Sequence, residues 1–142
     1  TPPEDPEIRS LMNRAASWAR LGLTGRAAGL AYDVWQRAKG DKFVEVWAGQ
    51  MLAKCGDLAR AAEVYCAAEG LPPGNWQAYW HLGVFLLSCG ESGRAVAFLE
   101  EAVRVEPCAI DAHEGLARCL DELGRPEDAQ RHLAEAARLA RS

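Results

Sequence analysis

Between residues 76 and 109 the apolar positions recur at three- and four-residue spacing. They are Tyr79, Leu82, Gly83, Leu86 and Leu87, and then Ala95, Val96, Leu99, Ala102 and Val103. That spacing marks one face of a helix, and here it occurs twice in succession. Gly90 interrupts the pattern, and residues 91–93 turn the chain. Pro107 closes the second run, because proline lacks the amide donor and clashes with the preceding turn. The segment predicts two amphipathic helices, antiparallel and joined by a short turn.

The same pattern repeats along the chain. Gly22, Gly56, Gly90 and Gly124 lie 34 residues apart. Ala27, Ala61, Ala95 and Ala129 follow them in phase, and Ala15, Gly49, Gly83 and Ala117 precede them as a third small column. Three columns in register are an internal repeat, and a fixed period of this length predicts a solenoid whose units pack on their neighbours. The small residues have a packing reason: two helices joined by a short turn approach closely, and a side chain at the crossing would hold them apart. Ala95 and its equivalents supply the matching small residue on the second helix. In the last unit Pro126, Glu127 and Asp128 place proline and two acids in a first helical turn, where both are favoured.

Tyr79, Leu82-Gly83, Leu86, Ala95, Leu99 and Pro107 together resemble the tetratricopeptide repeat. The resemblance covers residues 8–41, 42–75, 76–109 and 110–142 and is strongest in the third unit. The second has Gly49, Leu52, Gly56, Ala61, Tyr65 and Pro73, but Glu45 where an aromatic is usual. The fourth has Leu116, Ala117, Leu120, Gly124, Ala129 and Leu133, with His113 at the aromatic place. The first departs most: Arg14 stands for leucine and Ala31 for a large residue, with Trp18 and Trp35 available to fill the volume. The implied fold is all-α, a right-handed α-solenoid of antiparallel helix pairs with about eight helices. Residues 1–7, polar and proline-rich, read as an N-terminal linker, and residues 8–142 as a single repeat domain. The polar final helix, with Arg131, Glu135, Arg138 and Arg141, serves as its own cap unless the array continues. The start at Thr1 leaves a preceding segment open.

Charge and composition narrow the function. Net charge is −4 with no basic run, which disfavours nucleic acid. No apolar run approaches the roughly 20 residues that span a bilayer, so direct membrane insertion is not expected. The five cysteines are odd in number and lack CxxC spacing. Cys55 and Cys89 read as small core residues in a reducing, cytoplasmic compartment. The histidines His81, His113 and His132 fall in different helices, and neither a phosphate loop nor a nucleophile elbow is present. The expectation is a protein that is not an enzyme, with no catalytic residue, metal or cofactor.

In the family that the chain resembles, the first helix of each unit lines a concave groove where ligands bind. The residues this implies are Met12 and Asn13 in the first unit, with Arg9 and Ala16 beside them, and Phe43, Val46, Trp47 and Gln50 in the second. The third contributes Trp80, His81, Val84 and Leu87, and the fourth Arg118. The middle of this set is apolar, and an exposed apolar patch marks an interaction site. Tryptophan at helical spacing is also ordinary core, so Trp47 and Trp80 carry both readings. One subclass of the family grips a terminal carboxylate through a basic clamp. Met12, Ala16, Trp47, Gln77 and His81 occupy those places here, which favours an apolar ligand.

The expected function is a protein–protein interaction module that binds a peptide or amphipathic helix of a partner, as adaptor, chaperone or assembly scaffold. Two alternatives stay open: a scaffold that assembles with its own copies, and a non-catalytic targeting domain of a larger enzyme.

Overall fold

The computed structural model describes residues 1–142 as eight α-helices without a strand. Contacts divide the chain into two units, Thr1–Pro73 and Gly74–Ser142. In the first, α1 (Pro6–Arg20) packs on α2 (Thr24–Arg37), α2 on α3 (Lys42–Lys54), and α3 on α4 (Leu58–Glu69). In the second, α5 (Trp76–Ser88) packs on α6 (Ser92–Val105), α6 on α7 (Ile110–Glu122), and α7 on α8 (Pro126–Arg141), with α5 also touching α7. Each unit is thus two helical hairpins in tandem.

One device ends the first helix of every hairpin. Gly22, Gly56, Gly90 and Gly124 have φ of 81°, 80°, 76° and 76°. This left-handed conformation reverses the chain, and only glycine adopts it without steric cost. The amide of the following residue then reaches back to an orphan carbonyl. Leu23 donates to Trp18 at 2.8 Å, Asp57 to Leu52 at 3.0 Å, Glu91 to Leu86 at 2.9 Å and Arg125 to Leu120 at 2.9 Å. Helix starts are capped as well. Asp41 accepts from the amides of Phe43 and Val44, Asp57 from Arg60 and Asn75 from Gln77. In α8, Pro126 opens the helix with Glu127 and Asp128 behind it.

The small columns are interior. Ala15, Ala27, Ala61, Ala95, Ala117 and Ala129 are all buried. At Gly83 the approach is so close that an added Cβ would lie 2.6 Å from Leu99 Cγ. The space that this glycine leaves is therefore filled by Leu99, rather than matched by a second small residue. At Gly49 a Cβ would meet Val64 Cγ1 at 3.8 Å, an ordinary contact.

Two expectations need correction. The linker expected over residues 1–7 is shorter, because α1 begins at Pro6, capped by Asp5, and Pro3 is buried. Cys55 and Cys89 are not core. Each caps a helix just before a turn glycine, where the chain swings outward, so Cys55 is half-buried and Cys89 exposed. Glu45, in place of an aromatic, is buried despite its charge. In the first hairpin Trp35 is buried next to the small Ala31 and supplies the missing volume.

Candidate partner-binding site

The first unit carries a hollow of ≈ 370 Å³ lined by Pro2, Pro3, Arg9, Met12, Asn13, Ala16, Phe43 and Trp47. The wall residues come from two places. α1 presents Arg9, Met12, Asn13 and Ala16 at three- and four-residue spacing, which stacks them on one face. α3 presents Phe43 and Trp47 one turn apart for the same reason. The floor is continuous with the core. Met12 is only 7% exposed and packs with Ile8, Val34 and Val44, and Trp47 lies partly buried against that cluster. Phe43, at 39% exposed, offers its ring to solvent.

Four residues expected at the groove, Met12, Asn13, Phe43 and Trp47, therefore meet around one hollow. Val46, 55% exposed, and Gln50, also exposed, stand on α3 without lining it. Sequence reasoning missed Pro2 and Pro3, because a proline-rich start reads as a linker. Arg9 explains their position in part: its Nη2 donates to the Glu4 carbonyl at 3.1 Å and ties the N-terminal segment to α1.

The second unit treats its expected residues differently. His81 and Arg118 are exposed, and Val84 is half-buried. Leu87 is 5% exposed and belongs to the interior, which corrects its assignment to a surface. The reason is that α5 packs against both α6 and α7, so its buried surface is wider than one stripe. Trp80 is half-buried and packs on the cluster of Ala102, Ala109 and Ala112, with its indole against Gly115 of α7. Its ring also lies 4.4 Å from that of His81. Trp80 thus serves packing as well as surface. No three His, Cys, Asp or Glu side chains converge on a point that could hold a metal ion.

The histidines hold a relationship that periodicity did not reveal. His113 of α7 is buried at the position where the repeat has an aromatic, and its Nδ1 lies 3.1 Å from Nδ1 of His132 on α8.

Comparison with known proteins finds similar repeats elsewhere. The tetratricopeptide-repeat profile matches residues 90–142. The TPR repeat-containing thioredoxin TTL4 of Arabidopsis thaliana is 35% identical over 86 residues, which cover 61% of this chain and 13% of that protein. The inactive TPR repeat-containing thioredoxin TTL3 of the same plant is 29% identical over 114 residues, covering 80% of this chain and 16% of the relative. Residues 90–142 thus match the tetratricopeptide repeat, and most of the chain is similar to proteins that carry it. It spans less than a fifth of the length of these two relatives. Among solved structures, a MamA point mutant superposes with TM-score 0.58 at 20% identity, covering 93% of this chain and 96% of the other. MamA from Desulfovibrio magneticus RS-1 gives TM-score 0.52 at 21% identity, covering 94% and 76%. At these identities the likeness concerns the fold. The tetratricopeptide repeat is a protein–protein interaction module and in general a non-catalytic one. No helix is long and apolar enough to cross a membrane.

Proposed function

We propose that the chain binds an apolar-anchored peptide or amphipathic helix of another protein, as an adaptor, chaperone or assembly scaffold. The hollow of the first unit is the place of contact. What supports this is the convergence of Met12, Asn13, Phe43 and Trp47 on one concavity that is apolar below and rimmed by Arg9 and Asn13. Concave sites with an apolar floor and a few polar groups are those that peptides and small ligands use. Large aromatic side chains lose little conformational freedom on contact and dominate binding energy. Arg9 gives the rim a cation, which favours a ligand with an acidic residue beside its apolar anchor. The working division is a repeat domain over 8–142, with units 8–41, 42–75, 76–109 and 110–142. Its setting is reducing and cytoplasmic, a reading supported by five free thiols.

The test is selection of peptides from a random library on the full chain, with each selected peptide then titrated against wild type and Phe43→Ala. Apolar-anchored peptides that lose about tenfold or more in affinity on that change support the reading. Peptides that bind both proteins equally would place the contact elsewhere.

A second reading has its own support. Both Arabidopsis relatives are far longer than this chain and carry thioredoxin in their names. The chain would then be the non-catalytic docking part of a larger protein, and the mass of the native gene product in its own cell decides this.

A further inference from the structure

His113 and His132 meet head on. Their Nδ1 atoms lie 3.1 Å apart, while the ring centroids are 5.3 Å apart and the planes are tilted by 31°. The centroid separation is close to the nitrogen separation plus the two ring radii, so the two Nδ1 directions nearly coincide. Two imidazoles alone do not make a metal site, and no third His, Cys, Asp or Glu side chain joins them. The geometry is instead that of one N–H lying between two nitrogens. His113 Nε2 is 2.8 Å from the Pro107 carbonyl, which only accepts. Nε2 therefore carries a proton and leaves Nδ1 of His113 as an acceptor. The proton between the rings belongs to His132 Nδ1, and His132 Nε2 keeps its lone pair.

We propose that this pair is a proton-operated latch between α7 and α8, closed while one proton lies between the two Nδ1 atoms and sprung when both carry one. A first added proton goes to His132 Nε2. It leaves the link intact but puts a positive charge in a half-buried place. A second, on His113 Nδ1, sets two N–H groups against each other.

The surroundings determine the direction of the response. Burial, and next the neighbouring His113, hold His132 below the ordinary imidazole value. Arg131 of α8 acts in the same sense, while Asp128 of α8 and Glu100 of α6 oppose it. Glu135 of α8 also feels both rings. The unfolded chain therefore takes up a proton that the folded pair resists. Stability is full above the ordinary imidazole value and falls as pH drops through it. α8 is the helix to be released: its buried side chains are only Ala129 and Ala136, while Leu139 is half-buried and Leu133 exposed.

The test is amide hydrogen exchange along α8 in the full chain at about pH 7.5 and about pH 5.5, for wild type and His132→Asn. Asparagine keeps an N–H donor near the Nδ1 position without a titrating ring. After correction for intrinsic rates, α8 of the wild type is expected to open about tenfold more often at the lower pH, and the variant, which lacks the His132 ring but keeps His113, to respond markedly less. An equal response in both proteins overturns the latch. Should the variant not fold, nitrogen NMR of the wild-type rings decides: coupled two-step titration supports the latch, and two independent single steps overturn it.

Discussion

Gly83 lies beneath the side chain of Leu99, so close that a methyl group on it would sit 2.6 Å from Leu99 Cγ and 2.9 Å from Cδ2. Gly49 occupies the same place in the preceding hairpin, yet a methyl there would meet Val64 at 3.8 Å. The two glycines look alike in the sequence and differ in consequence. Gly83→Ala is expected to overpack the α5–α6 crossing and destabilise by about 1–3 kcal/mol. Gly49→Ala is expected to stabilise by about 0.5–1 kcal/mol, since alanine is the better helix former and the space is free. Urea unfolding of the two variants beside wild type gives both signs in one experiment, and equal shifts would remove the distinction.

Gly90 has a different constraint. No atom lies within 4 Å of a Cβ added there, but its φ is 76°. Gly90→Ala is therefore expected to cost about 1–2 kcal/mol through backbone strain alone. Gly93 is equally open, lies inside α6, and has no positive φ. Gly93→Ala should leave stability unchanged or raise it. Thermal unfolding of this pair separates conformational strain from crowding.

Phe43 and Trp47 share the hollow but not the same burden. Phe43 lies outside the buried core at 39% exposed, whereas Trp47 packs on the Ile8, Met12, Val34 and Val44 cluster. Phe43→Ala is expected to weaken peptide binding about tenfold or more while moving stability by less than about 1 kcal/mol. Trp47→Ala should lower both. Circular dichroism on melting, run beside the titrations, shows whether the two effects divide in this way.

The cysteines should sort by reactivity. Burial, then Glu122 and Glu100, push the Cys119 thiol up to about 11, and its Sγ donates to the Ser92 carbonyl at 3.1 Å. At neutral pH it is almost wholly protonated, and the protonated thiol is a poor nucleophile. Cys89 and Cys108 stand exposed. Alkylation with iodoacetamide, followed by peptide mass mapping, is expected to label Cys89 and Cys108 early. Cys119 should react only on a timescale set by the opening of α7, and early labelling there would contradict the buried donor geometry.

Much of the fold was legible because the repeat speaks through backbone needs. A turn glycine, a small crossing residue and a proline past a helix end leave marks that do not depend on the partner. Surface assignment was less legible. Leu87 satisfied the spacing rule for a groove residue but is buried, since a helix with neighbours on two sides has no free apolar face. The hollow was half legible: helical spacing groups Met12 with Asn13 and Phe43 with Trp47, but nothing in the spacing brings Pro2 and Pro3 beside them. The His113–His132 pair was hidden because the two residues lie on different helices and His132 belongs to no motif. His113 stands at the repeat's aromatic place, and that substitution was the one available sign.

The four glycine-closed turns bear on how the chain comes into being. Each of these hairpins is fastened by bonds that span only a few residues, from Leu23 to Trp18, Asp57 to Leu52, Glu91 to Leu86 and Arg125 to Leu120. Closing such short loops carries little entropic penalty, and helix formation takes about a microsecond or less. A ribosome adding roughly 5–20 residues per second takes seconds to deliver one 34-residue period. The turn of every hairpin therefore has ample time to close before its successor has been made, and each new repeat meets a neighbour whose turns are already set.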